Sequence, residues 1–448
     1  MDKDTSTSLN IQEKLLFSLP APLLNKKVQA DFNSPDISSN GGLVLYENMK
    51  GSLAEKIASC IPDYRNESLI VHTYRDMVCQ RIGQILCGYE DANDCNLLRS
   101  DSVLKMSVGR LPSGTDLCSQ PTMTRLENNV NKRALYNIGI LFLKEFVRSY
   151  SKVPKRIILD VDDSNSNTYG CQQLSLFNDY YGENCYMPML MFDGLTGRLI
   201  LPLLRPGRRN KSLNVFGILR RVVSYLHEQW PKTKIELRGD SHFCSHEFMD
   251  WAHNRSYISY TTGLSGNKVL LKKVDKHRKR AENDYKKDGK PIRRFYKFNY
   301  RAESWKYEQR VVAKIEVTSM GTNIRFVVTR NRNNSPETIY RRYCGRGQME
   351  LWIKDLKYFK ANRMSCHTYC ANYFRLFLYA AAFVMAHKMK QTLFKGTTVE
   401  NFTMDSFIKR IMLSAVYIVE KKTFVRISFS PNHRHRLELE QALRRTVA

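Results

Sequence analysis

The chain has no cysteine pair at CxxC spacing, although it carries 11 cysteines in 448 residues. Its two tight clusters, Cys366-x3-Cys370 and the run His242, Cys244, His246, match no usual zinc spacing. Reduced cytosolic thiols are therefore expected, not a structural metal or a disulfide scaffold. There is no low-complexity run and no internal repeat. The opening MDKDTSTSLNIQEK is polar, which argues against a signal peptide. No hydrophobic stretch is long and clean enough for a bilayer: the most apolar window, Tyr369 to Ala386, is interrupted by Asn372 and Arg375 and reads as a buried helix. The scarcest commodity is negative charge. Lys and Arg total 71 against 43 Asp and Glu, a formal net charge of +28. Such an excess calls for a polyanionic partner, with nucleic acid first. The cations are spread over the whole chain and not gathered on one amphipathic helix, so no membrane partner is expected.

With 42% hydrophobic and 25% charged residues, the composition is globular and the length allows about two or three domains. Residues 1–150 read as mainly helical and are expected to bind DNA ends. Asn40-Gly41-Gly42 marks a turn, VHTYRDMVCQRIGQILCGY has helical spacing, and Thr124-x-x-Glu127 fits a capping box on a long helix reaching Tyr150. From 151 to 265 the texture changes to strand IILDVD, hairpin MPMLMFDGLTGRLILPLL, helix SLNVFGILRRVVSYLHEQW, strand KIELRGD, helix SHEFMDWAHN and strand SYISYTTG. That alternation indicates an α/β domain with a mixed sheet. Residues 266–330 read as a basic, β-rich insertion. Lys268 to Arg310 holds 16 cations and 6 acids interleaved with aromatics, and RVVAKIEV with IRFVVTR forms a hairpin around Met320-Gly321-Thr322-Asn323. The second part of the core, 331–395, carries a charged helix, and 396–448 reads as helices.

Four acids stand where chemistry would want them. Asp160 and Asp162 alternate along IILDVDD and share one strand face, at the point where the apolar run ends. Asp240 closes KIELRGD at a C-terminal strand end, where open α/β sheets place ligand sites. Glu350 lies in YRRYCGRGQMELWIKDLKYFK, amid six cations and one other acid. On a single helix, Arg346, Glu350 and Lys357 fall about 60°, 20° and 40° from Tyr343, so one face would present all four. Carboxylates from two strand ends and one helix can hold a pair of Mg²⁺ ions, which clamp the attacking and leaving oxygens of a phosphoryl transfer. A turn or cap role for each acid alone, and a solvated charged face for the helix, are the simpler alternatives.

Tyr343, Arg346, Glu350 and Lys357 fit without a gap the Tyr-x2-Arg-x3-Glu-x6-Lys pattern of a cut-and-paste group of DDE transposases from bacterial insertion sequences, which the chain resembles. LDVDDS and RGDSHF are similar to the motifs around that family's two Asp residues, although His242 stands where a small residue is usual. LSLFNDYYGENCYMPMLMFDG and LLRPG resemble the stretch between them. The resemblance implies an RNase H-like catalytic core with a β-rich insertion, flanked by helical N-terminal and C-terminal regions. It makes Asp162, Asp240 and Glu350 the catalytic metal ligands, with Asp160 as a supporting acid beside them. It gives Tyr343, Arg346 and Lys357 to DNA phosphates, and implies two Mg²⁺ ions, replaceable by Mn²⁺. It further implies double-stranded DNA as partner, both terminal inverted repeats and target, a homodimer on paired ends, and a bacterial, cytoplasmic, nucleoid-associated setting. Relatives that form hairpins use an aromatic of the insertion to hold a flipped base, which nominates Trp305. A core role in a small β-domain is its alternative. The activity implied is DNA cleavage and strand transfer. An RNase H-like nuclease without strand transfer, or a non-catalytic DNA-binding descendant, are the competing readings.

Overall fold

Aliphatic and β-branched residues with charged ends form the strands that carry the carboxylates. RIILDVDD is β1 (Arg156–Asp163), and burial of Ile157, Ile158, Leu159 and Val161 shows that both its faces are covered. The computed structural model describes residues 35–47, 52–208 and 215–447, together with 16–18, 26 and 29–31. The polar opening MDKDTSTSLNIQEK lies outside the described residues. After β1 come the hairpin β2 (Met189–Asp193) and β3 (Leu199–Leu203), then β4 (Lys234–Gly239) and β5 (Ile258–Leu264). The region after residue 266 adds β6 (Ile292–Tyr300), β7 (Gln309–Thr318) and β8 (Gly321–Thr329). All eight belong to one sheet in the order β6-β7-β8-β5-β4-β1-β2-β3. β1, β4 and β5 run parallel to one another, and every other pairing is antiparallel.

The helices cover this sheet. Those used below are α1 (Tyr74–Leu86), α2 (Lys132–Arg148), α3 (Val215–Gln229), α4 (His246–His253), α5 (Lys268–Asp288), α6 (Pro336–Cys344), α7 (Gly347–Tyr358) and α8 (Tyr369–Thr392). α2 and α8 pack on β3, whereas α5 and α6 pack on β7. By length and composition α8 could cross a bilayer, yet 78% of its most apolar window is buried inside the fold. It is the buried helix expected from Asn372 and Arg375. Arg375 points into the N-terminal helices, where its Nε donates to Glu127 at 2.8 Å, and Arg81 Nε lies 3.9 Å from the same carboxylate. Glu127 is fully buried and the two arginines nearly so.

Four local expectations differ from what forms. The single helix expected from Thr124 to Tyr150 is two, Gln120–Asn129 and α2, because Asn131 is extended and its side chain caps the second by accepting from Ala134 N–H at 2.9 Å. The basic stretch read as β-rich opens with a helix, α5, whose three buried residues, Leu270, Val274 and Ala281, are hidden among cations. Its strands continue the main sheet through the β5–β8 ladder, and the β7–β8 turn is Ser319–Met320. The C-terminal stretch is not all helix: Val416–Glu420 and Val425–Phe429 form a hairpin that also pairs with Ile37–Ser38. Alternating β-branched residues explain it.

Candidate active site

Sheet register alone brings two of the carboxylates together. Gly239, the last residue of β4, pairs with Val161 of β1, so Asp240 and Asp162 are the next residues on neighbouring parallel strands. Asp240 then caps a short 3-10 turn, its Oδ1 accepting from His242 N–H at 2.8 Å. The exposed His242 ring sits with Nδ1 2.7 Å from Asp240 Oδ2, so the residue that departs from the family pattern touches the carboxylate directly. Burial, with Asp240 and Asp163 nearby, pushes the Asp162 carboxyl up to about 6, against the pull of Arg346. Asp163, beside it, is paired with Arg205.

The charged helix expected to present one continuous face is broken. α6 ends at Cys344 and α7 begins at Gly347, so Tyr343 sits on the first helix and Glu350 and Lys357 on the second. A competing donor accounts for the break. Arg238 Nη1 takes the carbonyl of Arg342 at 2.8 Å, and Arg346 N–H turns instead to Tyr343, three residues back, at 3.0 Å. Arg346, at the joint, donates from Nη1 to Asp162 Oδ2 at 2.6 Å. Burial alone would lower its pKa, but Asp162, then Tyr343, Asp240 and Glu350, raise it above the usual value. The guanidinium is thus paired with Asp162 and feels the charge of the other two acids and the phenol. Gly263 on β5 leaves room for the phenol, since a Cβ there would lie 2.8 Å from Tyr343 Oη and 2.9 Å from Ser241 N. Burial, seconded by Asp240, raises the Tyr343 pKa, so the hydroxyl keeps its proton. Lys357 is half-buried on α7 and its pKa is lowered by that burial.

Glu350 is exposed in the first turn of α7. Among the described residues no three His, Cys, Asp or Glu side chains cluster closely enough to hold a metal ion as they stand. The donor set nevertheless suits a hard cation. Asp162 and Asp240 face one cavity of about 520 Å³ that is also lined by Asp163 and Asp179 and takes in Phe177, Tyr180, Tyr181 and Arg208, and crowded like charge of this kind is relieved by a bound cation.

Asp160 occupies a different role from its neighbour two residues on. It is fully buried and forms a two-point pair with Arg238, Nε to Oδ1 and Nη2 to Oδ2 both at 2.5 Å. Since Arg238 also holds the Arg342 carbonyl, the pair fixes the α6–α7 joint to the sheet. Trp305 lies in the loop between β6 and β7, is 9% exposed, and meets Tyr300 edge-on at 5.4 Å. Packed this way, its ring is not open to a base. Trp305→Ala is expected to lower stability by about 3 kcal/mol, the low end for a buried aromatic. Urea unfolding checks it, and an unchanged midpoint would show a ring that is not packed. Sequence reasoning missed Arg238, identifiable only as the partner of Asp160, and Arg205, the partner of Asp163, and it noted His242 without its contact to Asp240.

A family profile described as "Transposase DDE domain group 1" matches residues 21–447. No curated protein matches. A solved structure, the cryo-EM piggyBac transposase synaptic complex with hairpin DNA, aligns over 85% of this chain and 80% of that one, at 12% identity and a TM-score of 0.46. By the extent of the profile match, the chain belongs to the transposase DDE domain family.

Proposed function

We propose that this chain cuts DNA at the ends of its own insertion sequence and transfers the freed strands to target DNA, by metal-dependent phosphoryl transfer. The observation that carries the reading is the register that puts Asp162 and Asp240 side by side at parallel strand ends, with Arg346 between them and the helix of Glu350. The strand order β3-β2-β1-β4-β5, in which only β2 runs against the rest, supports an RNase H-like core. Asp162 and Asp240, with Glu350 as third carboxylate, would hold Mg²⁺ or Mn²⁺. When bound, such ions polarise the phosphate and activate the attacking water or hydroxyl.

The protein's own groups do the rest. Arg346 stays charged and can swing its guanidinium from Asp162 to a phosphate, to which Arg binds in two-point fashion. Tyr343, still protonated, can donate to a neighbouring phosphate oxygen, and Lys357 offers a third contact further along α7. The N-terminal helices, residues 1–150, are assigned to the terminal inverted repeats, and a homodimer in a bacterial cytoplasm, on the nucleoid, would hold two ends together. The charge of +28 supplies the long-range attraction.

Two measurements test the reading. The log of the DNA association constant is expected to fall with log salt by about 0.9 per phosphate neutralised, and a salt-insensitive affinity would sink it. Duplexes bearing the repeats that flank the gene should be cut with Mg²⁺ and joined to a target plasmid. Cutting without joining would leave a nuclease, and neither would leave a DNA-binding protein.

A further inference from the structure

A rigid, exposed aromatic turn stands at the rim of the cavity that holds Asp162 and Asp240. It runs from Asn178 to Gly182 between two short paired strands, Leu176–Asn178 and Glu183–Tyr186. Asn178 is buried and fixes it. Its Oδ1 accepts from the backbone N–H of Tyr180 at 3.0 Å and of Tyr181 at 3.3 Å, while Nδ2 donates to the Gly207 carbonyl at 2.6 Å. Gly182 closes the turn at φ +68°, in the left-handed region, its N–H donating to the Asn178 carbonyl at 2.8 Å.

The turn, held by polar bonds, therefore projects a large ring into solvent. Tyr180 is 88% exposed, and among the described residues its ring partner is Tyr181, edge-on at 5.0 Å. A core role is excluded by that exposure. Four carboxylates, Asp162, Asp163, Asp179 and Asp240, line the same space beside Arg208 and His242, so away from a cation held by Asp162 and Asp240 the rim favours a neutral group over a second phosphate. What such a wall accepts from a nucleic acid is a neutral base with a π face. A phosphodiester seated at the carboxylates has its own base one sugar away, on the scale of this cavity.

We infer that Tyr180 is a stacking platform for an unpaired base beside the phosphodiester on which Asp162 and Asp240 act. The inference rests on the site reading proposed above. The full-length chain is tested by fluorescence anisotropy against a blunt duplex and the same duplex with a short single-stranded oligo-dA tail. Wild type is expected to prefer the tailed duplex. Tyr180→Ala should lose at least about fivefold of that preference, whereas Tyr180→Phe, which keeps the π face, should retain it. A Tyr180→Ala protein that keeps the full preference overturns the inference and leaves the turn as a surface for a protein partner. So does a wild type that binds both duplexes equally well. Wild type that binds neither duplex in a salt-dependent way would instead bring down the site reading itself.

Discussion

Asp162→Ala, Asp240→Ala and Glu350→Ala proteins are each expected to lose end cleavage while still binding end DNA. The loss should exceed the about 10–100-fold that follows when an outer hydrogen-bond partner of a metal ligand is removed. Binding persists because it draws on cations spread over the chain, of which none of these substitutions removes one. Glu350 is the informative member, since it is exposed and outside any three-residue cluster. If Glu350→Ala cleaved at a near-normal rate in a gel assay, a different third ligand would have to be sought. Asp160→Ala is expected to act otherwise, by freeing Arg238 and loosening the α6–α7 joint, and so to be detected as lost stability before lost chemistry.

Arg375→Ala is expected to lower the free energy of unfolding by about 3–5 kcal/mol. Removing one member of a buried pair leaves the other charge in a medium that solvates it poorly, and that penalty exceeds what the pair contributed when intact. Here the stranded group is Glu127, fully buried, with Arg81 at 3.9 Å as the remaining cation and the weakly donating Cys366 thiol at 3.7 Å to answer it. The pair joins the N-terminal helices to α8, so the transition should also broaden as the two layers begin to melt apart. Urea unfolding followed by far-UV circular dichroism reads both effects. A shift below about 1 kcal/mol would mean that the carboxylate reaches water and is not sealed in.

Much of this was legible in the sequence wherever one strand or one turn decides the outcome. IILDVDD and KIELRGD announce strands that end in acid, and the pleat puts Asp160 and Asp162 on the same face. Their different fates were not legible, because Arg238 reaches Asp160 across 78 residues of chain and Arg346 reaches Asp162 across 184. The break between Tyr343 and Glu350 was hidden for the same reason. Local spacing favours one helix, and a distant guanidinium takes the carbonyl that would have continued it. α5 was obscured by its own charge, since three buried residues among many cations leave little periodic signal. The hairpin at Val416–Glu420 and Val425–Phe429 was available in the alternation of VYIVE and VRISF.

The ladder between β5 and β8 bears on anyone who would trim this protein to a smaller core. Excising β6 to β8 would uncover the backbone donors and acceptors of Thr261 to Leu264, now paired with Phe326 to Thr329. A bare parallel-sheet margin of that kind recruits other chains and precipitates. The truncated margin would include Gly263, against which Tyr343 is seated. A minimal version would therefore need a capping strand or charged replacements along β5 to stay in solution.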